Sequence, residues 1–146
     1  MSSNIAVWCF RIVLILAGLA IIYTGINISF GGILTLGLQG TNDFFQVTDQ
    51  KRFLEQDSHI RFLGGIWFAV GLLFIISSFK LIKFQMALKF CFAAMFIGGL
   101  ARFTQMQPTV TLGPEILPSL IAEIILMPFL YFWINSIYKR TLMKNT

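Results

Sequence analysis

The chain has 146 residues, of which 57% are hydrophobic and only 12% charged, and its mean hydropathy is +0.81. Soluble domains are typically about half apolar and about a quarter charged, so this surface belongs in lipid; at about 20 apolar residues per crossing, four spans fit and a second folded domain does not. The net charge is +5, but the cations are scattered rather than run together, which fits membrane topology and excludes nucleic acid as an expected partner.

The first expected span covers about residues 5–28. Met1 to Asn4 hold no basic residue and the apolar run outlasts a signal-peptide core, so a retained helix is expected, with a cleaved signal as the alternative. Arg11 lies one to two turns inside and is expected to snorkel to the headgroups. Gly18 and Gly25 share a helix face and permit close helix contact. Cys9 and Cys91 share no motif and are expected to be reduced packing thiols.

The connection 29–57 is punctuated by Gly31, Gly32, Gly37 and Gly40 around Ile33 to Leu36. That piece reads either as a short strand or as a re-entrant segment. Asn42 or Thr48 is positioned to cap an amphipathic helix holding Phe44, Phe45, Phe53 and Leu54. This helix lies on the membrane surface or lengthens the second span. Asp43, Asp49, Glu55 and Asp57 nearly balance Lys51 and Arg52, as suits an external loop.

The second span is expected over about residues 60–78 and the third over about 84–103. Lys80, Lys83 and Lys89 follow the second and mark that end as cytoplasmic. Pro108, Gly113 and Pro114 supply turn chemistry before a fourth span over about residues 116–137. Pro128 removes a backbone donor inside it and should kink the helix near Ile124. Tyr131, Trp133 and Tyr138 suit the inner interface, and Lys139, Arg140 and Lys144 form a basic tail. The expected fold is therefore an all-α, four-transmembrane-helix bundle. It is one integral membrane domain, capped outside between helices one and two, with both termini in the cytoplasm.

Arg61, Arg102 and Glu123 fall in the outer parts of spans two, three and four. Arg61 precedes Gly64 and Gly65 by three and four residues, and Arg102 follows Gly98 and Gly99 by four and three. Pairing these mirrored pieces would bring four glycines into contact, with Gly71 extending the packing face, and set both arginines at one depth. Glu123 is the one acidic residue inside a span, and an intramembrane carboxylate needs a partner. A buried Arg61–Glu123–Arg102 network is expected, with bidentate arginine geometry. It reads as a register device, as an anion or quinone-headgroup site, or as a proton relay through Glu123. His59 borders this cluster as a solvated interfacial residue. A lone histidine with distant cysteines holds no zinc or haem, so no metal site is expected. Asn27 and Asn135 read as ordinary interface residues, and the 16 phenylalanines as packing and lipid-facing surface. No nucleophile-elbow, phosphate-loop, metalloprotease or dinucleotide motif occurs, so no catalytic residue is assigned.

Arg61, Gly64, Gly65, Trp67 and Gly71, then Gly98, Gly99 and Arg102, then Glu123, resemble the pattern of a family of small bacterial four-helix inner-membrane proteins annotated only as a domain of unknown function. That group is similar to the broader DoxX-like membrane proteins. The resemblance covers nearly the whole chain and implies four helices in the bacterial inner membrane. Some DoxX-like proteins accompany quinone-linked sulfur oxidation, though the chain has no thiol or metal motif to carry it. The expected roles are therefore an accessory or scaffold subunit bound to a membrane partner or a second copy, a quinone or lipid-like anion site, or a proton-coupled carrier. No cofactor beyond a quinone is expected, and the expected partners are the bilayer and a membrane protein or a second copy.

Overall fold

The computed structural model describes residues 2–35 and 46–143. The roles expected of Leu36, Gly37, Gly40, Asn42, Asp43, Phe44, Phe45 and Lys144 fall outside these residues. The described chain is all-α, with no strand. Helix α1 is Ser2–Gly31, α2 is Gln50–Phe79 and α3 is Leu81–Ala101. A short α4, Pro108–Thr111, precedes α5, Leu117–Ile121, and α6, Met127–Leu142. Four stretches are long and apolar enough to cross a membrane: Asn4–Leu34, Gln50–Phe79, Leu81–Gln105 and Leu117–Leu142.

The structure sharpens three local expectations. Helix α2 starts at Gln50, so the amphipathic segment lengthens the second helix rather than lying apart from it. Asp49, not Thr48, caps it: its Oδ1 accepts the Arg52 N–H at 3.1 Å, and its carbonyl accepts the Phe53 N–H at 3.0 Å. A carboxylate at that place satisfies an orphan donor and complements the helix dipole. As far as Thr35, the Ile33 region is not a strand. Gly32 takes a left-handed φ of 64° directly after α1 and opens a 3₁₀ turn, Gly32–Thr35, as glycine does past a helix C-terminus.

The chain divides into two compact units, residues 13–76 and residues 1–12 with 77–146. In the first, α1 and α2 run antiparallel along a glycine seam. A Cβ added to Gly18 would stand 3.0 Å from the Gly71 carbonyl, and one added to Gly71 would stand 2.8 Å from that of Gly18. Gly25 and Gly64 meet likewise, each 3.0 Å from the other's carbonyl. Farther along the same line, Gly32 faces Asp57. The rungs recur every seven residues on both helices, the repeat that keeps two helices in contact along a left-handed crossing. Leu14, Ile21 and Phe74 are buried in this unit.

The second unit is built on α3, α5 and α6. Leu81, Leu88 and Phe92 of α3 are buried, as are Leu120, Leu130 and Ile134 on the fourth helical stretch. Phe10 is fully buried and meets the Trp133 ring edge-on at 5.3 Å. The break expected near Ile124 takes the form of a π turn, Ala122–Leu126. Its closing bond runs from the Met127 N–H to the Ala122 carbonyl, five residues back. The widened turn stands immediately before Pro128, where an α-helix would set the proline ring against the Ile124 carbonyl.

Candidate functional site

Arg102 closes α3 and begins a 3₁₀ turn, Arg102–Gln105. Glu123 lies in the π turn. The two form a bidentate pair, Nε to Oε2 at 2.6 Å and Nη2 to Oε1 at 2.7 Å. The Glu123 side chain is 8% exposed and that of Arg102 36%. A Cβ on Gly99 would come within 2.7 Å of the Glu123 Cβ, so the missing side chain makes room for the acid. Two parallel charge-assisted bonds fix the guanidinium plane. They use Nε and Nη2, which leaves Nη1 with no bond among the described residues. The pair thus offers a fixed, partly exposed donor beside a shielded carboxylate.

Arg61 is held in the other unit by different groups. Its Nε donates to Asp57 Oδ2 at 2.6 Å, four residues back on α2. Its Nη1 donates to the carbonyls of Ser29 at 3.2 Å and Phe30 at 2.5 Å. Those carbonyls belong to the last turn of α1, where an α-helix leaves acceptors unpaired and its dipole favours a cation. Asp57 Oδ1 accepts the Ile33 N–H at 2.8 Å, which secures the turn beyond Gly32. Asp57 and Arg61 together form a cap for the end of α1, supplied by the neighbouring helix.

Of the expected network, the structure therefore brings Arg102 and Glu123 together and gives Arg61 to Asp57. Gly64 and Gly71 pack against α1, and Gly99 packs against Glu123, whereas a Cβ on Gly65 or Gly98 would meet open space. His59 is exposed on α2. Both cysteines are free, Cys9 exposed and Cys91 half-buried.

The sequence reading missed Asp57 as a partner, and it missed Lys89. Lys89 Nζ donates to Asn135 Oδ1 at 2.7 Å and stands 5.8 Å and 5.9 Å from the ring centres of Tyr131 and Tyr138. Tyr131, Asn135 and Tyr138 fall at helical spacing on one face of α6, the signal that could have found this cradle.

Residues 9–134 match the family described as Domain of unknown function (DUF4345). No curated protein and no solved structure matches the chain.

Proposed function

The chain belongs to the DUF4345 family, and from that premise we propose a multi-pass bacterial inner-membrane protein that binds a small amphipathic molecule at Arg102 and Glu123. The observation that carries this reading is the unspent Nη1 of an arginine whose plane is already fixed by Glu123. A quinone carbonyl or a lipid-like anion is the acceptor it suits, because either presents oxygen to a donor beside apolar surface. The π turn under Glu123 adds support, since such turns recur at functional sites. The chain carries out no chemistry of its own in this reading, and both termini face the cytoplasm.

An accessory role is the second reading. It called for a glycine face open to a partner. Gly18 and Gly25 are closed against Gly71 and Gly64, but Gly65 and Gly98 are open and suit close approach by another membrane helix.

Native mass spectrometry of the full chain in mild detergent, titrated with decylubiquinone and separately with decanoate, decides between them. One of these probes is expected to be retained by the wild type and lost by Arg102→Ala. Equal retention by both proteins, or none by either, overturns the binding reading and leaves the accessory one.

A further inference from the structure

Arg11, Lys80 and Lys83 line one cavity of about 270 Å³, with Thr141 and the apolar side chains of Val7 and Phe79. All of these residues belong to the unit formed by residues 1–12 and 77–146. Among the described residues, none of the three cations has a carboxylate partner. The ion pairs among the described residues are Arg52–Asp49, Arg61–Asp57 and Arg102–Glu123. The Arg11 guanidinium stands 5.5 Å from the Trp8 ring centre, and its Nε is buried with no hydrogen-bond partner among the described residues. A buried donor left unpaired is costly, and native structures seldom keep one without a ligand or water.

The cavity wall also includes Leu81, Ile82 and Lys83. These are the first residues of α3, a helix of 21 residues with no side-chain cap at its start. An α-helix leaves its first N–H groups without internal acceptors, and its dipole makes that end positive. Three cations and a helix start therefore border a space to which the described residues contribute no anion.

We propose that this cavity holds the phosphate group of an anionic phospholipid. Phosphate answers the site: negative charge for Arg11 and the two lysines, and oxygen acceptors for the α3 start. The neighbouring groove identifies a lipid rather than a free ion. Ile137 lines both the cationic cavity and a second one of about 410 Å³, walled by Ala6, Phe129, Phe132 and Trp133. Phosphate in the first cavity and an acyl chain along the second make one continuous occupant. This site is distinct from the Arg102–Glu123 pair and does not depend on it.

The test is native mass spectrometry of the full chain with dioleoyl phosphatidylglycerol or dioleoyl phosphatidylcholine at equal mole fraction. Preferential retention of phosphatidylglycerol is expected. Each cation removed should weaken it about fivefold, so Lys80→Ala/Lys83→Ala should weaken it about 25-fold. Arg11→Ala should lower retention further than Arg11→Lys, because lysine keeps the charge. Lys139→Ala, a basic change outside the cavity, should leave retention unchanged. The proposal falls if both lipids bind equally, or if Lys139→Ala weakens binding as much as the cavity variants. It also falls if inorganic phosphate, and not phosphatidylglycerol, raises the unfolding temperature of the wild type, since the occupant would then be a soluble ion.

Discussion

Arg61 and Arg102 carry the same charge and sit beside the same kind of glycine pair, yet their surroundings give them different work. Arg61 spends Nε and Nη1 on Asp57 and on two carbonyls at the end of α1. Arg102 spends Nε and Nη2 on Glu123 and keeps a third of its side chain exposed. Removing one member of a fully buried ion pair costs about 3–5 kcal/mol, because the other is left charged and unpaired. The exposure of Arg102 softens this, so Glu123→Ala should cost ~2 kcal/mol. The Arg102→Ala/Glu123→Ala double variant should lose less than the two single losses together, with a coupling of about 1 kcal/mol or more. Denaturant unfolding in detergent micelles measures all three, and strictly additive losses would sink the coupling.

Elements bring a sharper contrast between neighbours. Gly64 and Gly65 are adjacent in sequence, but only Gly64 lies in the α1–α2 seam. A Cβ there would press on the Ser29 backbone nitrogen and the Gly25 carbonyl, at 2.5 Å and 3.0 Å, and backbone cannot yield as a side chain can. Gly64→Ala should therefore destabilise by about 1–3 kcal/mol, the usual range for overpacking. Gly65→Ala meets open space and should be neutral or stabilising by up to about 1 kcal/mol, as alanine suits a helix better than glycine. Thermal unfolding of the two variants side by side checks this, and a larger loss for Gly65→Ala would refute it. The same contrast explains what the sequence disclosed. The four spans were legible because each is a long apolar run. The seven-residue spacing of Gly18 and Gly25 was legible as a packing face. Its partner was not, because the mirrored Gly64-Gly65 and Gly98-Gly99 pairs look complementary on paper. Adjacent helical residues point about 100° apart, so one glycine of each pair turns away. The Asp57 partner of Arg61 was hidden by starting the second helix after it. Once α2 extends back to Gln50, the two stand four apart on one face.

At the scale of the molecule, the dominant fact is apolar surface that packing among the described residues leaves uncovered. Leu16 on α1 is 61% exposed and Phe132 on α6 is 66% exposed, values that fit side chains facing acyl chains rather than water. An even number of crossings returns the chain to the side where it began. Lys80, Lys83 and Arg140 line the two cavities that share Ile137, and basic residues are retained on the cytoplasmic side. Green fluorescent protein fused to either terminus should therefore fluoresce, and alkaline phosphatase fused to either should be inactive. An active phosphatase at one end would rule out this orientation.

The π turn before Pro128 also acts on angular phase. Glu123 and Asn135 are twelve positions apart, which in an unbroken α-helix would leave them about 120° apart around the axis. The extra residue accommodated by the π turn subtracts about 100°, so the two point within about 20° of each other. Glu123 then grips Arg102 at one end of α3 while Asn135 grips Lys89 nearer the other. The irregular turn thus works as a rotational offset, aligning two polar holds on a single neighbour that a regular helix of the same sequence would have aimed in different directions.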